Sequence, residues 1–177
     1  MKFRATALLA ALCIASPHSA ATVQEASLAE LAVDIAYDKC PKLHDDEIKL
    51  DGPEIKALGF VGAPETRQHP RVGAMQILSL KRGDGEIVIG AATETAFCQV
   101  MVLGPQRETA HAALRANLGR LGIDFSPDPA SSSANEYSTV EGLSARPEEG
   151  VTVGVQFINA SGPRGQMAAF QVFITDQ

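Results

Sequence analysis

Residues 86–104, EIVIGAATETAFCQVMVLG, decide how this chain folds, because they form its longest apolar stretch downstream of residue 21. Valine, isoleucine and phenylalanine dominate the stretch, and a short polar break at Thr93-Glu94-Thr95 divides it in two. β-Branched and aromatic residues favour strands, and a polar break between two such runs is typical of a turn. The stretch therefore predicts two buried strands joined by a short turn.

The residues on either side extend this pair into a meander and a helix. Residues 74–81, AMQILSLK, are predicted to form a strand, and the following Arg82-Gly83-Asp84-Gly85 contains the Asp-Gly pair that favours a hairpin turn. Residues 106–121 repeat alanine and leucine at the three- and four-residue spacing of a helix with one apolar face. We therefore expect three antiparallel strands followed by a long helix.

A helix is also predicted near the N-terminus, over residues 23–39. Ser27 and Glu30 have the spacing of a capping box, in which each side chain satisfies a backbone N–H of the first turn. Pro41 is expected to end this helix near Cys40, because the residue before a proline disfavours helical geometry.

The remaining segments complete the order of elements. Residues 53–58 predict a short helix, and residues 151–159 and 166–175 alternate apolar and polar positions as in a hairpin. Residues 61–72 are expected to be a loop. Residues 124–150, rich in proline and serine, are expected to be a loose segment in which residues 135–143 could form an edge strand.

Together these elements predict an α+β domain formed by residues 22–177, which is long enough to bury a core. We expect an antiparallel sheet of five or six strands with helices packed on one face, in the order α-α-β-β-β-α-(β)-β-β. The other face is expected to be solvated or to bind a partner. Residues 97–103 are apolar on both sides of their strand, and an exposed apolar patch often marks a partner site.

The N-terminus has the pattern of a secretory signal peptide. Lys2 and Arg4 precede an uncharged apolar run, and small residues follow at positions 19–21. The run is too short to span a membrane, and no later segment is apolar enough to do so. Residues 1–21 are therefore predicted to be removed, and the rest of the chain is expected in the periplasm or outside the cell.

The net charge argues against some classes of partner. The chain has 21 acidic and 15 basic residues, a net charge of -6 at pH 7, and removal of Lys2 and Arg4 makes it more negative. A chain this acidic is not expected to bind nucleic acid or anionic lipid through its overall field.

Two of the three cysteines, Cys40 and Cys98, lie downstream of the predicted signal peptide. An even pair in an exported protein predicts a disulfide, which would join the end of the first helix to the sheet. Two free buried thiols are the alternative.

No residue pattern in the sequence marks a known catalytic or cofactor site. Phosphate-binding glycine loops, the Gly-x-Ser-x-Gly nucleophile turn and the HExxH zinc helix do not occur, so no catalytic residue and no cofactor are predicted. His44 is followed by three acidic residues, but consecutive residues seldom converge on one ion, and no metal site is predicted.

The candidate site is a stripe on the predicted helix 106–121. Arg107, His111 and Arg115 recur every four residues on the face opposite to the apolar one. This arrangement favours an anion-binding or partner-binding patch. A solvated face of charged residues is the alternative interpretation.

Three structural features of the chain resemble small uncharacterised secreted proteins of Gram-negative bacteria: the cysteine pair, the helix stop Leu58-Gly59-Phe60, and the strand end Cys98-x-Val100-x-Val102-x-Gly104. The resemblance covers most of residues 22–177. It implies no activity, substrate or catalytic residue.

The sequence thus favours an exported binding or interaction protein without catalytic activity, whose partner is a protein or a small molecule that the sequence does not identify. The first alternative is a small hydrolase or transferase with a site near His111 under residues 124–150. His111 would then act as the base, and Arg107 and Arg115 would hold an anionic group. The second alternative is an envelope component that oligomerises through its C-terminal strand; the sequence does not predict the oligomeric state itself.

Overall fold

The computed structural model describes residues 26–163 and 165–176. The predicted signal peptide lies outside the described residues. The helices are α1 (Leu28–Asp34), a π-helical turn (Ile35–Lys39), α2 (Cys40–His44), α3 (Pro53–Lys56), α4 (Arg107–Ala116) and two 3₁₀ turns (Leu118–Leu121 and Pro129–Ser131). The strands are β1 (Glu65–His69), β2 (Gly73–Arg82), β3 (Gly85–Ala92), β4 (Phe97–Leu103), β5 (Ser126–Pro127), β6 (Ser133–Ala134), β7 (Ser138–Glu148), β8 (Val151–Gly162) and β9 (Gly165–Asp176). Within these ranges, none of the helices combines the length and apolar content that crossing a membrane requires.

The strands form one antiparallel sheet in the order β1-β2-β3-β4-β9-β8-β7-β5, and β6 also pairs with β7. The predicted fold of five or six strands with helices packed on one face is wrong, because the sheet has nine strands. The two strands of residues 86–104 are confirmed as β3 and β4, the Gly83-Asp84 turn joins β2 to β3, and the C-terminal hairpin is confirmed as β8 and β9.

The additional strands have weak patterns of their own. β1 has the sequence ETRQH, with four of its five residues exposed, and it lies in residues 61–72, where the sequence predicts a loop. β5 and β6 have two residues each. β7 overlaps the edge strand that residues 135–143 predict, but it runs for 11 residues and continues to Glu148. It contains a glycine and a proline, and its register is irregular between Ala145 and Glu148. These strands form because a neighbouring strand supplies hydrogen bonds, which is a tertiary effect that periodicity does not report.

The C-terminal strand β9 lies inside the sheet. It pairs with β8 along its full length on one side, and with β4 over residues 167–173 on the other. Oligomerisation through a free edge of the C-terminal strand is therefore incompatible with this topology.

The hydrophobic core lies between the helices and the sheet side chains that alternate toward them. Complete burial of one such large apolar side chain stabilises the folded state by about 1.5–3 kcal/mol relative to leaving it exposed. The large side chains with almost no exposed surface are Leu28, Ile35, Ile55, Phe60, Ile87, Ile89, Val100, Val102, Leu114, Val155, Phe157 and Phe170. The Tyr37 hydroxyl donates a hydrogen bond to the Leu114 carbonyl, which links the first helix to α4 inside this core.

The first helix begins as predicted and ends later than predicted. The capping box of Ser27 and Glu30 is formed. Instead of ending near Cys40, the helix widens into the π-helical turn, where the Cys40 N–H donates to the Ile35 carbonyl, and continues as α2. Pro41 stands in the first turn of α2, directly after the π-helical turn. The wider π-helical turn accommodates the proline ring, so the chain stays helical through a residue that usually ends helices.

The predicted disulfide is confirmed. Cys40 and Cys98 are bonded, with their Cα atoms 5.6 Å apart, and the bridge joins α2 to β4. Both residues are fully buried. The helix that extends past Pro41 is thus fixed to the centre of the sheet.

The side of the sheet away from this core, called the second face below, contains a row of three glutamines. Gln99, Gln171 and Gln156 lie opposite one another on β4, β9 and β8, and all three are buried. Gln171 Nε2 donates to Gln99 Oε1, and Arg71 Nη2 donates to Gln156 Oε1. Arg71 belongs to the turn between β1 and β2, so this turn covers part of the second face.

Candidate functional site

The candidate site is organised by helix α4, which follows β4 directly. Gly104 lies between the two elements with φ at 97°, and a Cβ on it would lie 2.9 Å from the Asp84 carbonyl oxygen. Only glycine fits this tight change of direction. Ala110 and Leu114 are fully buried and fix α4 against the core, which leaves His111 and Arg115 on the side toward β7 and β8.

A cavity of about 530 Å³ lies between α4 and the strands β6, β7 and β8. It is called the α4–β7 cleft below. Its volume is in the range of small-molecule sites. Its lining residues are His111, Arg115, Ser132, Ser133, Ala134, Thr139, Val140, Glu141 and Phe157.

One wall of the cleft is a two-point ion pair. Arg115 Nη1 lies 2.8 Å from Glu141 Oε2, and Arg115 Nη2 donates to Glu141 Oε1 at 3.0 Å. The side chains are 51% and 39% exposed, respectively, so the pair contributes little to stability. It places one positive and one negative group at the cleft, and the guanidinium has five N–H donors, of which this pair uses two.

His111 forms the other polar wall. Its ring is half-buried and meets the Phe157 ring edge to face, with centroids 6.5 Å apart. Burial, and secondarily the charge of Arg115, lowers the pKa of His111, against the opposing effects of Glu108 and Glu141. The imidazole is therefore neutral at pH 7 and has one donor and one acceptor nitrogen.

The hydroxyl group of Ser132, which lines the cleft, is bound to backbone groups. Ser132 Oγ donates to the Asp128 carbonyl at 2.8 Å and accepts from the Gly142 N–H at 2.9 Å. Within the described residues, His111 makes no hydrogen bond to a protein group. Ser132 therefore joins the turn that begins at Asp128 to strand β7.

The structure separates the three residues of the predicted stripe. His111 and Arg115 line the α4–β7 cleft, whereas Arg107 does not belong to its lining. Arg107 Nη1 donates to Asn159 Oδ1 at 2.7 Å and lies 2.6 Å from Glu108 Oε1. With its side chain only 14% exposed, Arg107 joins the start of α4 to β8.

Sequence reasoning missed Glu141 and Phe157 as cleft residues. The two lie directly opposite each other on β7 and β8. The alternation of apolar and polar residues along β8 predicts that Phe157 is buried. Nothing in the sequence indicates that it underlies His111, since that contact depends on how α4 crosses the sheet.

No metal site is formed by the described residues, because no group of three or more histidine, cysteine, aspartate or glutamate side chains converges among them. His44 Nδ1 lies 2.7 Å from Asp45 Oδ1 on the surface, and this contact makes a local pair.

Comparison of the chain with protein-family models, with curated proteins and with solved structures found no match.

Proposed function

We propose that this chain is an exported protein, periplasmic or secreted, that binds a small carboxylate ligand in the α4–β7 cleft without transforming it. The observation on which the proposal rests is the cleft itself, where Arg115, His111 and the ring of Phe157 meet around one cavity. The proposal keeps the expected role of Arg115 and His111 in holding an anion. It leaves Arg107 out of the site.

The ligand class follows from the groups that line the cleft. The unused guanidinium donors of Arg115 match a carboxylate, and charge-assisted hydrogen bonds of this kind contribute about 1.5–3 kcal/mol. The neutral imidazole of His111 supplies one further donor. Phe157 and Val140 offer apolar contact to the body of the ligand. A small aromatic carboxylate combines these features, and its carboxylate would share the Arg115 guanidinium with Glu141.

The test is a titration of ¹⁵N-labelled residues 22–177 with benzoate, followed by amide chemical shifts. We expect saturable shifts around His111, Glu141 and Phe157, and much weaker shifts with benzamide, which has the same ring without the charge. Arg115→Gln is expected to weaken benzoate binding about tenfold or more. Arg107→Gln is the matched control, because it removes an arginine of the same helix that lies outside the cleft.

Equal shifts with benzoate and benzamide would contradict the carboxylate assignment. An equal loss of binding in the two arginine variants would contradict the assignment of the cleft.

Hydrolase or transferase activity is the second candidate function, and it is favoured because His111 lines the same cleft as the hydroxyl residues Ser133 and Thr139. The test is turnover of p-nitrophenyl acetate by the folded chain. His111→Gln would abolish a true activity of the cleft. His69→Gln would leave it unchanged, because His69 is also a half-buried histidine with a lowered pKa but lies against Phe97, outside the cleft. An equal rate for both variants would remove this candidate.

Export is supported by the buried disulfide, since such bridges persist in oxidising compartments. The intact mass of the chain recovered from the periplasm of a bacterial host is expected to match residues 22–177 with the two cysteines oxidised. A full-length chain with free thiols would contradict export.

A further inference from the structure

Strand β1 is an exposed edge of the sheet. It is the first strand in the sheet order and pairs with β2 along its whole length. Residues 65–68 are all exposed. At the opposite end of the sheet, β5 and β6 have only two residues each, so β1 is the longest of the outermost strands described.

The side chains of β1 alternate between the two faces of the sheet. Glu65 and Arg67 lie on the second face, in register with Ile77 and Met75 of β2, and Thr66 lies on the other side. Arg67 Nη2 lies 2.8 Å from Glu65 Oε2, and the two side chains are 64% and 68% exposed. The edge therefore presents one positive and one negative group, two residues apart, to whatever pairs with it.

A second copy of the chain can pair with β1 in few registers. A two-fold axis perpendicular to the sheet keeps the second faces of both copies on the same side, so Glu65 then lies opposite Glu65, Arg67 or His69 of the other copy. The register with Glu65 opposite Glu65 pairs two negative charges. The register with Glu65 opposite His69 places Arg67 opposite Arg67 and pairs two positive charges. Like charges directly opposite are destabilising and opposite charges are stabilising. Only the remaining register places Glu65 opposite Arg67, and the two-fold axis forms this pair on both sides of Thr66.

Apolar surface borders the same edge. A groove of about 330 Å³ on this side of the sheet has Glu65 and Arg67 among its lining residues. Val61, which also lines it, is 79% exposed and is one of two large exposed hydrophobic residues in the described chain. A copy paired with β1 would stand beside this groove and reduce the exposure of its apolar side chains.

We propose that two copies of this chain form a symmetric dimer through antiparallel pairing of their β1 strands, with Thr66 opposite Thr66 at the two-fold axis and Glu65 opposite Arg67 on either side. The dimer joins the two sheets into one and makes a continuous second face. The proposal does not depend on the α4–β7 cleft, because the cleft and β1 share no residue.

The register is tested with a single introduced cysteine. Cys40 and Cys98 are bonded to each other, so the added residue is the only free thiol of residues 22–177. Directly opposite residues of an antiparallel pair have Cβ atoms about 4.5–5.5 Å apart. Thr66→Cys is therefore expected to give a covalent dimer on mild oxidation. Gln68→Cys, which is also exposed on β1 but lies away from the axis, is expected to remain largely monomeric.

The charges are tested by sedimentation over a wide range of protein concentrations. Arg67→Glu replaces two attractive cross-strand pairs by two repulsive ones and is expected to raise the dimer dissociation constant about tenfold or more. The double variant Glu65→Arg with Arg67→Glu restores opposite charges across the interface and is expected to restore the dimer. Arg115→Glu is the control, because it breaks a similarly exposed ion pair far along the chain from β1.

All these positions are on the surface, so we expect every variant to fold. Thermal unfolding will verify this. A monomer at every concentration would overturn the proposal and would mean that the charges of β1 protect the edge from pairing. Efficient dimers of both cysteine variants, or a dimer indifferent to Arg67→Glu, would overturn the register.

Discussion

The contribution of the Cys40–Cys98 bridge can be worked out from its position in the chain. The two cysteines are separated by 58 residues, and the bridge removes the entropy of closing this loop from the unfolded chain. The chain-entropy relation gives about 14 cal/mol/K for such a loop, which is about 4 kcal/mol at 25 °C. Because both sulfur atoms are buried, replacing either cysteine by alanine also removes core contacts worth about 1 kcal/mol.

Single and double variants separate these two effects. Cys40→Ala breaks the bridge and removes one sulfur atom, so we expect the free energy of unfolding to fall by about 5 kcal/mol. The further change Cys98→Ala removes only packing and is expected to cost about 1 kcal/mol more, since the bridge is already lost. Urea unfolding followed by circular dichroism measures both steps. With a slope of about 2 kcal/mol/M, the first step lowers the urea midpoint by about 2–3 M.

The result that would refute this reasoning is additivity. If each single variant lost about 1 kcal/mol and the double variant about 2 kcal/mol, the bridge would contribute nothing beyond the packing of its sulfur atoms. An oxidised and a fully reduced wild-type chain with equal thermal stability would lead to the same conclusion.

Two further predictions concern the cleft and the strand beside it. A Cβ on Gly142 of β7 would lie 1.8 Å from Ser131 Oγ and 2.8 Å from the Ser131 carbonyl carbon, so Gly142→Ala is expected to displace the Pro129–Ser131 turn and to destabilise the fold by about 1–3 kcal/mol in thermal unfolding. Gly119→Ala, which meets open space, is the matched control, and an equal effect of the two substitutions would contradict the packing argument. The lowered pKa of His111 means that the unfolded chain binds this proton more readily than the folded chain does. The contribution of His111 to the free energy of unfolding should therefore be fully present above its ordinary pKa and be lost as the pH drops toward its lowered folded pKa. An NMR titration that gave His111 a pKa at or above the ordinary value for histidine would contradict this expected pH dependence.

Local sequence determined the elements whose chemistry is contained within a few residues. The apolar runs of residues 86–104, the turn at Gly83-Asp84 and the capping box at Ser27 each specify their own structure, because strand propensity, positive φ and side-chain capping act over short distances. The disulfide was predictable for a different reason, since two cysteines downstream of the predicted signal peptide can pair in only one way.

The tertiary structure decided which segments became additional strands and where the first helix ended. β1 and most of β7 lack an apolar alternation, and they are strands because β2 and β8 provide hydrogen bonds for them. The helix passes through Pro41 because a π-helical turn and the bridge at Cys40 hold it in place, whereas the local preference is to stop.

The candidate site also contains residues that the sequence indicates and residues that only the folded structure brings together. Helical periodicity placed His111 and Arg115 on one side of α4 from the sequence alone. Glu141 and Phe157 reach the same cleft from β7 and β8, which the sequence separates from α4 by the whole of residues 117–137. Periodicity reports which face of an element a residue occupies, but the element that packs against that face is chosen by the balance of burial and hydrogen bonding over the entire chain, and only the folded structure contains that information.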